Sequence, residues 1–285
     1  MIIFHPDMKP LFQIVQLGTG ANGSAVVQQL TQLMNIFSVK GSYLLADPDI
    51  VEKHNLKNQL FLPSDVGQKK ADVLARRYGR HYEVPVFSYA EQYVSTLETM
   101  EALFDDAFLK DYYCNMKIPV LIGTVDNNFS RQLMHAFFMS QPYMIYVDAG
   151  VEGSRVPQDA RSMDSWTSEE RDAYNATGWT GQIVCGIRWN DETILDPVCS
   201  AFPDMLLDDD PIAPGAACIQ QLSKEPQKLL TNKYAALEVI SYFNTLFSEQ
   251  RIAHHKSYIN LKHKYKVKTY PIEKQQILSH QSESE

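Results

Sequence analysis

A chain of 285 residues, 45% hydrophobic and 21% charged, is long enough to bury the core of one large α/β domain and has the balance of a water-soluble globular protein. The formal net charge of -8 argues against broad nucleic-acid binding, and 4 cysteines without a tight pair argue against a disulfide framework. No apolar run approaches the length of a membrane span, and "MIIFHPDMKPLFQIVQLG" lacks the basic start of a secretory signal, so a cytoplasmic location is expected.

In chain order, "FQIVQLGTG" is a short apolar strand ending on glycines, and "SAVVQQLTQLMNIF" follows with helical spacing. "GSYLLADPD" is the next strand, and "DVGQKKADVLARRYGRHY" is a helix that Ser64 or Asp65 is placed to cap. "VPVFSY", "TLETMEALFDDAFL", "KIPVLIGTVDN", "FSRQLMHAFFMS" and "YMIYVDAG" continue the alternation of strand and helix. Over residues 12–150 this rhythm predicts a parallel, doubly wound, Rossmann-like sheet with helices on both faces.

The rhythm then breaks. Residues 152–180 are polar and punctuated, which predicts an excursion loop with a short helix at "SEERDAY". "GQIVCGIRW" and "ETILDPV" suit a hairpin, "FPDMLLDDDPIAPGAA" a loop, "NKYAALEVISYFNTLF" a buried helix, and "HHKSYINLKHKYKVKTY" a last hairpin. The expectation is one domain over 1–270, its sheet turning mixed and antiparallel in the second half, then a disordered tail at 271–285. Lys262, Lys264, Lys266 and Lys268 alternate along the final strand, as on an edge protected from pairing; a docking surface for an acidic partner is the alternative.

Gly18, Gly20 and Gly23 form G-x-G-x-x-G between a strand and a helix. Missing side chains let backbone amides approach a phosphate, and the helix N-terminus adds positive potential. Asp47 ends the second strand, where a ribose-binding acid belongs. A turn that only packs helix on strand is the competing reading. These residues alone leave NAD, S-adenosylmethionine and ATP open, while the missing G-x-x-x-x-G-K-[ST] excludes a P-loop.

Four signals in order, "GTGANGS", "ADPDIVEKHNLKNQLFLPSDVGQKKADVLA", "LIGTVDNNFSRQLMH" and "VDAGVEG", resemble the ThiF and MoeB family, whose nucleotide-binding fold is shared with ubiquitin-activating enzymes. The resemblance implies an ATP-dependent adenylyltransferase that activates a carboxylate, usually the C-terminus of a ubiquitin-like or sulfur-carrier protein, as an acyl-adenylate. By position it implies that Asp47 holds the ribose with Asp49 beside it, that Asn55, Asn58 and Gln59 line the phosphates, and that Lys70 contacts them. It implies Asp126 as a catalytic acid that binds Mg²⁺ and helps expose the α-phosphate, with Asn127 and Arg131 around it, Asn127 also at the nucleotide, and a dimer as the common assembly. Taken singly, Lys70 suits a solvated surface charge and Asp126 a helix cap.

The chain departs from the family pattern N-L-x-R-Q, for Asn58 stands where the arginine belongs, and the first arginine of the sequence is Arg76. An amide cannot neutralise triphosphate charge or offer a guanidinium fork. Lys53, Lys57 or Lys69 could supply charge instead, a partner protein could lend an arginine, or the site could bind nucleotide without turning it over. The family's CxxC pairs are absent, so zinc would need Cys185, Cys199 and Cys218 with a fourth ligand. Cys218, in the loop-like "APGAACIQQ", is the candidate thiol acceptor, and Cys185 suits a packed strand.

Overall fold

The computed structural model describes residues 1–5, 9–105, 116–157, 159, 161–207, 227–262 and 266–278. The strands are β1 (Ile2–Phe4), β2 (Pro10–Leu17), β3 (Gly41–Ala46), β4 (Val86–Tyr89), β5 (Met116–Gly123), β6 (Met144–Val151), β7 (Thr180–Trp189), β8 (Glu192–Leu195), β9 (Arg251–Ile252), β10 (His254–Asn260), β11 (Lys266–Pro271) and β12 (Gln276–Leu278). The helices are α1 (Ala21–Ile36), α2 (Lys70–Tyr82), α3 (Leu97–Leu103), α4 (Asn128–Ser140), α5 (Ser168–Ala176), α6 (Val198–Ala201), α7 (Asp204–Leu207) and α8 (Leu229–Glu249).

The main sheet runs β11-β10-β7-β6-β5-β2-β3-β4, with β8 paired to β7. Every pair from β4 to β6 is parallel, and every pair beyond β6 is antiparallel, as the loss of strand-helix alternation predicts. The period-2 pleat of β2 sends Phe12 and Ile14 into one core layer and Val15 and Leu17 into the other. Residues of α1, α2 and α8 fill the first layer; those of α3, α4 and α6 fill the second. In α8, Ala235 and Ala236 face the core beside Val239, Phe243 and Leu246, small residues letting α1 pack closely against it.

Register fixes where chemistry is placed. Leu17 stands beside Ala46 on one side and Gly123 on the other, so Gly18, Asp47 and Thr124 emerge together at the C-terminal ends of three adjacent parallel strands. The strand order reverses between β2 and β5, and such a switch point opens the crevice where doubly wound sheets hold ligands.

The ordered fold runs past its expected end at residue 270. β12 pairs in parallel with β1, and β9 flanks β1 on its other side, making a separate three-stranded sheet. Residues 279–285 lie outside the described residues. β11, with Lys266 and Lys268, is the outer strand of the main sheet, whereas Lys262 precedes it and Lys264 lies outside the described residues; the Lys268 ammonium lies over the Tyr270 ring at 4.7 Å. Among the described residues, no helix is long and apolar enough to cross a membrane.

Candidate functional site

The glycine turn is held from beneath by a residue the motif does not contain. Gln16 is fully buried at the end of β2, and its Nε2 donates to Gly18 O (2.9 Å), Gly23 O (3.2 Å) and Thr124 Oγ1 (3.2 Å). The Tyr43 hydroxyl donates to Gln16 Oε1, and the Thr124 hydroxyl donates to Gly18 O at 2.7 Å. A glutamine inside an apolar strand is the sequence signal that could have revealed this support.

The three glycines have different reasons. Gly18 has φ +89, and a Cβ there would lie 2.8 Å from Thr124 O; at Gly23 a Cβ would lie 2.2 Å from Gly18 O. At Gly20 a Cβ would meet nothing within 4 Å. Gly18 and Gly23 are therefore required by the fold, whereas Gly20 borders open space at the start of α1, a helix without a side-chain cap. An anion entering that space would find backbone amides already oriented towards it.

Asp47 closes the neighbouring corner. One carboxylate oxygen accepts from the Thr19 amide and hydroxyl, both at 2.7 Å, and the other accepts from the Asp49 amide at 2.9 Å. Burial, then the nearby Asp49 carboxylate, raises its pKa, with Lys70 and the Thr19 bond opposing. Asp49 is the more open of the two acids. It receives Lys70 Nζ at 2.9 Å and the Tyr93 hydroxyl, while Lys70 N donates to Asp49 O at 2.8 Å. Lys70 is thus a buried, paired lysine rather than a solvated surface charge, and Tyr93, on the loop after β4, joins the site unannounced by any motif.

The polar run 51–69 folds back over α1. Asn55 is buried and its Oδ1 accepts from the Glu52 amide at 2.8 Å, closing the 3-10 helix Lys53–Lys57. Ser24 Oγ receives the Leu60 amide at 3.2 Å, which ties the run to the glycine helix. The side-chain oxygens of Gln59 and Asn22 are buried without a hydrogen-bond partner among the described residues. Both flank this region, and a bound polar ligand would satisfy them.

Asp126 lies exposed after β5, and Asn127 follows it as the cap of α4, accepting from the Ser130 amide at 2.8 Å. Beneath them Arg131 is buried, its Nε on Asp148 Oδ1 (3.0 Å) and its terminal nitrogen on Val125 O (2.8 Å). Tyr146 donates to the other Asp148 oxygen at 3.0 Å. Arg131 therefore fixes the loop carrying Asp126. Asn127 is committed to capping through its oxygen, and its amide nitrogen lies 3.5 Å from Asp126 Oδ1.

A family model described as the ThiF family matches residues 10–162, which takes in the glycine turn, Asp47, Lys70 and Asp126. The chain belongs to the ThiF family. No curated protein matches it. Among solved structures, PaaA is similar at TM-score 0.56 and 15% identity, with 91% of this chain covering 64% of that one. Escherichia coli MccB, solved with ATP, is similar at TM-score 0.53 and 15% identity, with 91% of this chain and 63% of that one covered. MccB with AMPCPP and MccA gives TM-score 0.54 at the same identity and coverage. The chain thus spans just under two thirds of these relatives, and at such identity the likeness speaks for the ThiF fold alone.

Against the ThiF pattern, the structure places Asn58 on the wall of a cleft of about 570 Å³. His54 and Lys57 from the 3-10 helix, Tyr174 and Trp179 from the excursion, and Lys228 before α8 line it too. Of the lysines considered as substitutes, Lys57 reaches this cleft, whereas Lys69 Nζ donates to Pro48 O at 2.5 Å and Lys53 is not among the lining residues. The cysteines separate clearly. Cys185 and Cys199 are buried; burial, with Asp148 adding for Cys199, pushes the Cys199 thiol up to about 12, and burial raises Cys185 further. Neither is a reactive thiolate as placed. Cys218 lies outside the described residues, and no cluster of metal-binding type occurs among those described.

Proposed function

We propose that the chain binds ATP at the switch point and adenylylates a carboxylate, the C-terminus of a peptide or of a small ubiquitin-like or sulfur-carrier protein. The observation that carries this reading is the open space at Gly20, at the start of α1 where no side chain caps the amides and next in the chain to Thr19, which the buried Asp47 holds. ThiF membership supports it, as does the fold likeness to MccB, itself solved with ATP and with MccA.

In this reading ATP is a substrate. The amides at the start of α1 receive phosphate oxygens, the Asp47 and Asp49 carboxylates face the ribose, and Lys70, poised on Asp49, turns its charge to the phosphates. A carboxylate oxygen forms a bond to the α-phosphorus, the bond from that phosphorus to the bridging oxygen breaks, and pyrophosphate leaves with the electron pair. A Mg²⁺ ion suits this donor set, since it is commonly held by one or two carboxylates plus substrate phosphates, and Asp126 is exposed at the crevice. Such an ion neutralises phosphate charge. Arg131 keeps the Asp126 loop in place through Val125 O and Asp148.

Exchange of labelled pyrophosphate into ATP, measured with the carboxylate partner present, tests the chemistry; competition of ATP against NAD tests the nucleotide. ATP binding without exchange would support a second reading, a nucleotide-binding docking module of the same fold, which Asn58 motivates.

A further inference from the structure

Lys228 is a cation in an unusual position. It is 8% exposed, yet among the described residues no carboxylate lies within ion-pair distance of it. Its Nζ donates to Tyr174 O at 3.0 Å and sits 3.4 Å from the Tyr174 ring centroid and 4.6 Å from that of Trp179. The carboxylate electrostatically coupled to it, Glu152, is already bonded through Oε2 by the Trp179 and Thr180 amides and the Thr180 hydroxyl. Ring faces stabilise the ammonium without neutralising it, and two of its three donors remain after the Tyr174 bond.

Buried charges in proteins are normally paired. Lys228 instead lines the cleft that Asn58 lines, together with Lys57 from the same 3-10 helix as Asn55. The positive charge missing at position 58 is therefore present in the same cleft, carried by a different element of the chain. The aromatic pair gives the lysine a fixed position, which a flexible ammonium otherwise lacks.

We propose that Lys228, assisted by Lys57, binds the distal phosphates of the nucleotide in place of an arginine at position 58. This rests on the nucleotide reading above. A cation acting on distal phosphates matters for ATP and not for AMP, and that difference is the signature to measure.

The experiment is calorimetric titration of the full chain with Mg·ATP and with AMP. Lys228→Met is expected to weaken ATP about tenfold, the scale of one charge-assisted contact, while AMP changes less than about twofold. Lys228→Arg retains ATP affinity, and adding Asn58→Arg to Lys228→Met restores most of the loss. If thermal melting reports that Lys228→Met is unfolded, the exposed Lys57→Met carries the test, with an expected ATP-selective loss of about threefold. Equal effects on ATP and AMP, or none on either, overturn the assignment. Wild-type protein that binds AMP and ATP alike overturns it while leaving nucleotide binding intact, and wild-type protein that binds neither overturns the nucleotide reading as well.

Discussion

The glycine turn and the surroundings of α8 lie on the same sheet but handle buried polarity in opposite ways. Around the turn, apart from the Asn22 and Gln59 oxygens, polar groups answer one another: Gln16 meets two carbonyls and a hydroxyl, Asp47 takes both donors of Thr19, and Arg131 is matched by Asp148. Around α8 fewer do: among the described residues, Ser154 and Asn232, both fully buried, and the His254 Nε2 have no hydrogen-bond partner, and Lys228 has no carboxylate within ion-pair distance. The first region is set by the fold before any ligand arrives, in the manner of a preorganised site. The second is a region whose polar groups are left for something else to satisfy.

The largest effect should come from breaking the most self-contained part. Arg131→Met leaves Asp148 buried and unpaired, so unfolding by denaturant should report a loss of about 3–5 kcal/mol. A loss under about 1 kcal/mol would mean that the turn region does not depend on internal pairing. Next come two glycines with opposite expectations. Gly23→Ala drives a methyl into Gly18 O and should cost about 3 kcal/mol, whereas Gly20→Ala should cost about 1 kcal/mol or less while sharply weakening ATP. If Gly20→Ala binds ATP as well as wild type, the open space there is not the phosphate cradle.

Gln16→Leu removes the amide hub at similar volume and should cost about 2 kcal/mol, since several buried acceptors lose their donor. In the other region the expected effect is smaller and depends on pH. Burial depresses His254 from its ordinary 6.5 to about 4, so the folded state holds it neutral; its contribution is complete above 6.5 and is lost as pH falls towards 4. His254→Phe, which keeps a ring against Tyr242 at 4.1 Å, should flatten the decline in stability over that window. An unchanged slope in a melting series from pH 7 to pH 4 would place the acid sensitivity elsewhere.

Much of the turn region was legible in the sequence because its logic is local. Strand, glycines, helix and strand-end acid follow one another along the chain, and hydrophobic period alone places Gly18, Asp47 and Asp126 at strand ends. Asn127 and Asn55 spend their side-chain oxygens on the amides of Ser130 and Glu52, contacts as local as the motif itself. Local reading failed where a residue's role comes from far away. β1 and β12 are three-residue strands without periodicity, formed by pairing across the length of the chain, so the ordered fold extends beyond residue 270. Lys228 carries no motif at all. Its burial depends on Tyr174, which the sequence places at the end of the short helix "SEERDAY", and on Trp179 in the loop that follows.

Asp47 also has a thermodynamic meaning. The same carboxylate grips Thr19 on the glycine turn and the Asp49 amide on the loop that carries Lys70's partner. A ligand that draws on Thr19 and one that draws on Lys70 therefore compete or cooperate through one shared group. Linkage makes such coupling reciprocal: occupancy at one end of the site alters affinity at the other by the same factor in both directions.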